Sequence, residues 1–509
     1  MKSGYSNPIL PGFYPDPSVC RVGSDYYLVN STFEYFPGVP IWHSRDLVHW
    51  RQIGHVLTRR SQLDLGGCPC SDGIYAPTLR HQNGVFYMAT TLVKSGQYRN
   101  FYVTATDPSG PWSDPIWVDQ SGIDPSLFFD DDGRAYFQTN RGLVFRMERA
   151  IYQSEIDIQT GRRLSGPDKI WGGTGGCYVE GPHIYKRNGW YYLLAAEGGT
   201  AYGHMVTIAR SLNIRGPYDS CPHNPILSNR HAYEELHGTG HGDLVEAADG
   251  SWWMVHLAFR KTAGDVHTLG RETCLAPVTW ENGWPVVNRN GTNSLEVDAT
   301  VLPAHPFPVP PVRDDFDAPQ LGLPWIRLRN PVEEHYSLTE RPGFLRLHGT
   351  AESLSDPSSP TFVARRQQHF HATITAHLEF EPCHPGDRAG LSLFMTHEHH
   401  YDLFVTRENG KRVLVVEARL ELIHHRAAMV VLPEAGPVHL RIVSAKELYH
   451  FGFVGTDGSF QEIATINSRY LGTEVTGGYN GVVIALYATG TGQLASGPAD
   501  FDWFEYLPQ

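Results

Sequence analysis

Charge is scarce in this 509-residue chain: Asp, Glu, Lys and Arg together make up 19% of it, against about a quarter in ordinary soluble domains. What charge there is leans acidic, with 54 Asp and Glu against 41 Lys and Arg and a net charge of −13. That balance argues against a nucleic-acid partner or an anionic membrane surface. Long apolar runs are missing as well, so no membrane-spanning helix is expected. The start, Met1-Lys2-Ser3-Gly4-Tyr5, lacks the apolar stretch of a secretory leader. Seven cysteines, an odd number scattered from Cys20 to Cys383, form no disulfide framework. Cys68-Pro69-Cys70 has no second pair at zinc-site spacing, so it is not read as a metal site. A cytoplasmic, reducing location is the expectation.

Helical periodicity is also rare, whereas aromatics reach 12%, with 12 Trp and 25 Tyr. Five aromatic-rich strand runs recur, each introduced by a turn: Ser24-Asp25-Tyr26-Tyr27, Asn83-Gly84-Val85-Phe86-Tyr87, Asp132-Gly133-Arg134-Ala135-Tyr136, Asn188-Gly189-Trp190-Tyr191-Tyr192 and Asp249-Gly250-Ser251-Trp252-Trp253. Asn-Gly and Asp-Gly suit the positive φ angles of tight hairpins, so each run has an earlier partner strand. Those partners begin Asp16-Pro17-Ser18-Val19, Ala76-Pro77-Thr78-Leu79, Asp124-Pro125-Ser126-Leu127, Glu180-Gly181-Pro182-His183 and His241-Gly242-Asp243-Leu244. Five such units predict an all-β fold, a five-bladed β-propeller over residues 1–302. A proline-dense linker follows over residues 303–312. Period-two runs such as Ala372-Thr373-Ile374-Thr375-Ala376-His377-Leu378 predict a C-terminal, lectin-like β-sandwich over residues 313–509.

In a propeller the first strand of each blade lines the central axis. Asp16, Asp124, Glu180 and His241 would then meet at one mouth of the channel, with neutral Ala76 from blade two. The prolines beside Asp16 are expected to hold it on stiff, extended backbone. Carboxylates crowded in one cleft repel, so at least one pKa should rise. Glycoside hydrolysis needs such a split, a protonated carboxyl to assist the leaving oxygen and an ionised one to work on water or the sugar. A non-catalytic sugar-binding propeller is the alternative from another class. His397-Glu398-His399-His400 and His424-His425 read as solvated strand or loop histidines. Gly172-Gly173-Thr174-Gly175-Gly176 has no phosphate-loop continuation and reads as a close-approach loop near the site.

Asn7-Pro8-Ile9-Leu10-Pro11-Gly12-Phe13-Tyr14-Pro15-Asp16-Pro17-Ser18 resembles the opening of glycoside hydrolase family 43. Gly73-Ile74-Tyr75-Ala76-Pro77-Thr78, Ile123-Asp124-Pro125-Ser126, Val179-Glu180-Gly181-Pro182-His183, Gly240-His241-Gly242-Asp243-Leu244 and Leu269-Gly270-Arg271-Glu272-Thr273 resemble later motifs of that family. The resemblance spans the chain and extends to the two-domain β-xylosidase branch. It implies an inverting, exo-acting enzyme that releases xylose from the non-reducing ends of β-1,4-xylo-oligosaccharides. An α-L-arabinofuranosidase, alone or as a second activity, is the nearest alternative. By the resemblance Asp16 is the general base, Glu180 the general acid, and Asp124 the third carboxylate that raises the acid's pKa. Arg271 binds the sugar, and Phe33, Phe36, Tyr75 and Ala76 are candidate walls of its pocket. His241 matches an axial histidine beside which some relatives hold calcium; hydrogen bonding to water or carboxylate is the alternative, and no cofactor is required. A homo-oligomer, dimer or tetramer, is implied. The sandwich is expected to close one side of the pocket through the loop at Ala488-Thr489-Gly490-Thr491-Gly492.

Overall fold

The structure is a computed structural model that describes residues 4–141, 149–300 and 302–509. Its first part holds five sheets of antiparallel strands, one per repeat. Each opens on a hairpin: Ser18–Val22 with Asp25–Val29, Thr78–Gln82 with Val85–Lys94, Ile123–Phe129 with Ala135–Arg141, Glu180–Arg187 with Trp190–Glu197, and Leu236–Glu246 with Trp252–Arg260. At Asn83-Gly84 and Asn188-Gly189 both central residues take positive φ, the backbone that lets a two-residue turn match the twist of its strands. Two further strands complete each blade outward. The five inner strands pack side by side, and Ser18–Val22 lies against both Thr78–Gln82 and Leu236–Glu246, which closes the ring. The first residues reinforce the closure: Tyr5–Ser6 pairs with Glu296–Val297, and Leu10 bridges Thr273.

One level of the axis is filled by a polar rivet. Asp243, fully buried, accepts Ser18 Oγ at 2.6 Å, Arg80 Nη1 at 2.8 Å and the Tyr185 hydroxyl at 2.5 Å, so it joins blades one, two, four and five. Burial works against its charge, but Arg80 and His183 hold its carboxyl far below the ordinary value. A charge buried this deeply is tolerable only when paired and hydrogen-bonded throughout.

The second part is a sandwich. A six-stranded sheet, Thr361–Arg366, Val483–Thr489, Arg388–Thr396, His399–Glu408, Lys411–Leu420 and Ile423–Val431, covers a sheet built around Ala499–Pro508 and Ala372–Glu379. Side chains alternate between faces along a strand. Leu391, Leu393, Leu403 and Leu414 therefore turn inward with Ile374, Leu440 and Phe504. Phe394, Phe404, Val415 and Tyr487 turn outward and pack against Phe13, Phe33 and Tyr35 of the propeller. Strand pairing also crosses between the two parts, Arg327–Leu328 with Tyr35–Phe36. Buried Glu34 accepts Ser71 N at 3.0 Å and Asn480 Nδ2 at 2.8 Å. At Gly481 the approach is so close that a Cβ would lie 2.5 Å from the Leu269 carbonyl oxygen, so the two parts form one body through backbone contact.

Candidate active site

The inner strands do not begin as smooth extended segments. Asp16, Asp124 and His241 have φ of 52°, 53° and 48°, the left-handed region that non-glycine residues seldom occupy. Extended backbone is the expectation for a residue ahead of proline, and Asp16 and Asp124 depart from it. Aspartate tolerates this region because its short side chain can bond locally, and here the surroundings over-determine it. The pairing register also breaks at the site residues, between Ile123 and Ser126, Glu180 and His183, and Gly240 and Asp243. Such bulges re-aim side chains. Blades one, three, four and five thereby turn Asp16, Asp124, Glu180 and His241 into one cavity of about 510 Å³.

Each carboxylate has a different environment. Asp16 accepts Arg271 Nη1 at 2.8 Å and Ser31 Oγ at 2.6 Å, and His241 Nδ1 lies 3.9 Å away. Burial favours its neutral form, yet Arg271 and His241 outweigh that and keep its pKa below the ordinary value. Asp124 accepts a backbone bond from Gly181 N at 3.1 Å. Burial, with the charge of Asp16 adding to it, pushes Asp124 up to about 6. Glu180 is raised well above an ordinary glutamate, first by burial and then by the charges of Asp124 and Asp16. The cavity therefore favours the ionised form of one carboxyl and the protonated form of another, the separation that acid–base chemistry at neutral pH requires. Gly181, at φ 59°, carries the chain across the His241 ring, where a Cβ would sit 3.0 Å from the imidazole.

Phe33, Tyr75, Ala76, His241 and Arg271 all line the cavity with the carboxylates. Phe36 does not: it is packed with Val29, Val39 and Ile41 between blades, because Tyr35–Phe36 is committed to pairing with the sandwich. The pocket wall that comes from the sandwich is also not residues 488–492. Thr473, Glu474, Gly478 and Tyr479 reach the cavity instead, whereas Thr489 and Thr491 line a separate one. Tyr479 stacks on Phe33 with ring centroids 5.6 Å apart and meets Tyr75 edge-on at 5.8 Å. The Arg271 guanidinium lies 5.5 Å from the Tyr479 ring, within cation–π range. Glu474 is anchored by His267, which donates its backbone N at 2.9 Å and places Nδ1 2.7 Å from the carboxylate. Gly477-Gly478-Tyr479-Asn480-Gly481, an aromatic flanked by glycines, was the available sequence signal for this segment.

The glycine-rich loop is tied to buried Glu197, whose carboxylate accepts Thr174 N at 2.9 Å and Gly176 N at 2.9 Å. Its far end delivers Tyr178 to the cavity rim. Around His241 the residues do not build a calcium cage. Calcium asks for six to eight oxygens, the Asp16 oxygens already accept Arg271 and Ser31, and among the described residues no three His, Cys, Asp or Glu converge as metal ligands. His399 and His400, expected to be solvated, are both buried: His400 on the outward face beneath loop 353–358, and His399 on the opposite face, in step with Tyr401 and Leu403 of the sandwich core.

Comparison with known proteins followed the same division of the chain. Residues 5–285 match the family described as Glycosyl hydrolases family 43, and residues 313–507 match the Beta xylosidase C-terminal Concanavalin A-like domain. The non-reducing end alpha-L-arabinofuranosidase BoGH43B of Bacteroides ovatus is 44% identical over 99% of this chain and 94% of its own length. The xylan 1,3-beta-xylosidase of a Vibrio species is 40% identical over the whole of both chains. Among solved structures, a xylan beta-1,4-xylosidase from Bacillus halodurans C-125 superposes with a TM-score of 0.94 at 40% identity, covering 99% of this chain and 100% of that one.

Proposed function

The chain belongs to glycosyl hydrolase family 43, and from that membership we propose that it is an exo-acting, inverting β-xylosidase that trims single xylose units from xylo-oligosaccharides. What carries the mechanism is the placement of two carboxyls in one cavity with opposite surroundings, Asp16 bonded by Arg271 and Ser31, which favour its ionised form, and Glu180 buried beside the charges of Asp124 and Asp16, which favour its protonated form. Asp16 takes a proton from the attacking water. Glu180 gives its proton to the glycosidic oxygen as the bond breaks. Asp124 keeps Glu180 protonated by its charge, and Arg271 fixes Asp16 while offering its remaining N–H groups to sugar hydroxyls. Phe33, Tyr75 and Tyr479 present ring faces and edges to the apolar side of the terminal sugar. The sandwich segment at 473–479 blocks passage of a long chain through the cavity, which favours cleavage at an end.

The Bacteroides ovatus relative bears an arabinofuranosidase name, so α-L-arabinofuranoside hydrolysis is the second reading. Initial rates on p-nitrophenyl β-xyloside and p-nitrophenyl α-L-arabinofuranoside separate the two. The xyloside is expected to be faster, and a preference for the arabinofuranoside transfers the assignment. Proton NMR of xylobiose cleavage should reveal α-xylose as the first-formed anomer; β-xylose first would overturn inversion.

Removing the ring supplied by the sandwich tests the pocket itself. Tyr479→Ala loses aromatic contacts worth about 0.5–1.5 kcal/mol, so KM should rise by about two- to tenfold with kcat changed less. An unchanged KM would remove Tyr479 from the sugar site.

A further inference from the structure

The outward face of the six-stranded sheet has a second cavity, of about 630 Å³, remote in sequence and chemistry from the glycosidase carboxylates. Residues two apart on a strand share a face, so His400 and Asp402 stand together on His399–Glu408. His400 Nδ1 lies 2.9 Å from Asp402 Oδ2, and His400 Nε2 lies 3.2 Å from the hydroxyl of Ser355 on the covering loop. An ionised carboxylate only accepts, so Nδ1 carries the ring proton and Nε2 presents its lone pair to Ser355 Oγ–H. Asp402 is held in turn by Ser392 Oγ at 2.7 Å. Histidine and aspartate are both buried, whereas Ser355 remains partly open to the cavity. Nucleophile to base and base to orienting carboxylate are the two bonds by which a serine-hydrolase triad is recognised, whatever the chain order.

We propose that Ser355, His400 and Asp402 form a second catalytic centre that hydrolyses carboxylic esters of polyhydroxylated alcohols. Ser355 Oγ attacks the ester carbonyl carbon while its proton passes to His400 Nε2. The C–O bond to the alcohol then breaks, and the alcohol leaves with that proton, so that an acyl-Ser355 remains. Water attacks the acyl carbon, gives its proton to His400 and releases the carboxylic acid, after which the proton returns to Ser355. The sum is ester plus water to acid plus alcohol. Tyr487, 2% exposed, lines the same cavity, and its hydroxyl has no hydrogen-bond partner among the described residues. With Arg388 Nε and Arg419 Nε, which also lack a partner among the described residues and belong to the same lining, it offers a donor to the oxyanion. Arg388, Glu417 and Arg426 form a continuous charged row along the cavity, Arg388 Nη1 to Glu417 at 3.0 Å and Arg426 Nη2 to Glu417 at 3.2 Å. Such a row offers donors and acceptors to hydroxyl groups. Leu354 is aliphatic lining on this face, whereas the Ala418 side chain turns into the sandwich core with Leu414 and Val416; so little apolar surface suits a short acyl group over a fatty one.

The test uses the full-length protein, p-nitrophenyl acetate and xylose tetra-acetate as ester probes, and a fluorophosphonate label read by peptide mass spectrometry. The expected result is one label per chain, on Ser355, and acetate release from both esters. Ser355→Ala should lower ester turnover by at least about 10³-fold, the scale of triad removal, while p-nitrophenyl xyloside hydrolysis stays at the wild-type rate and reports an intact fold. Labelling of another residue, no labelling at all, or ester turnover equal in wild type and Ser355→Ala would each overturn the proposal. Labelling of the unmodified protein decides the matter even if the alanine variant fails to fold.

Discussion

Asp16→Asn is expected to lower kcat by about 10²–10⁴-fold, the usual worth of a positioned base, and to do so whatever the leaving group. Asparagine is the substitution that isolates the chemistry. Asp16 sits at φ 52°, a region that asparagine tolerates and alanine does not, so the backbone has no reason to move. The amide oxygen can still accept from Ser31 Oγ or Arg271 Nη1, which now hold the carboxylate at 2.6 and 2.8 Å. What disappears is the charge and the basic lone pair that water needs. Because water is deprotonated in the same step for every substrate, a dinitrophenyl xyloside and xylobiose should lose rate to a similar extent. Steady-state kinetics on both substrates check this. Near-normal turnover of either would remove Asp16 from the role of base.

The repeat was readable because two separate signals agreed. Turn pairs marked the hairpins, and a small or polar residue, Ala76 in blade two and Asp16, Asp124, Glu180 and His241 in the others, stood at the start of each inner strand. Asn83-Gly84 and Asn188-Gly189 are turns for a local reason, positive φ at both positions, and local reasons survive in a sequence. The backbone at Asp16 and Asp124 is the opposite case. A residue ahead of proline is read as extended, and only the fixed partners around it, Ser31 and Arg271 for Asp16 and Gly181 for Asp124, hold it elsewhere.

Contacts between the two parts were the least legible. Phe36 reads as an aromatic near a sugar site, yet its strand is committed to pairing with Arg327–Leu328, about three hundred residues away. The choice of pocket loop failed for a related reason. Residues 488–492 and 472–481 are both glycine-bearing segments beside the strand Val483–Thr489, one at each end of it. Which end faces the propeller depends on the direction in which that strand lies across the interface, and no local pattern reports it.

The alkaline limb of the pH profile is expected to belong to Glu180, and Glu180→Gln should separate proton donation from the rest of the mechanism. Burial and the charges of Asp124 and Asp16 raise the Glu180 pKa well above the ordinary glutamate value, so the group stays protonated and active as pH climbs, and activity falls only as it finally ionises. Asp124, itself raised to about 6, acts on Glu180 through its charge, so the observed limb reports the interacting pair and not either residue alone. Glutamine keeps the size of Glu180 and cannot donate a proton of comparable acidity. Xylobiose, whose leaving alcohol requires that proton, should slow by about 10²–10⁴-fold. A dinitrophenyl xyloside, whose leaving group departs as a stable anion, should retain most of its rate, and the Glu180 contribution to its alkaline limb should vanish. Asp124→Asn gives the matching sign check. Removing that negative charge makes Glu180 easier to ionise, so the alkaline limb should move to lower pH in the otherwise intact enzyme. Equal losses on xylobiose and the dinitrophenyl xyloside in Glu180→Gln, or an upward shift of the limb in Asp124→Asn, would contradict the assignment. The contrast with Asp16 is the discriminating feature: loss of the base is blind to the leaving group, whereas loss of the acid depends on it.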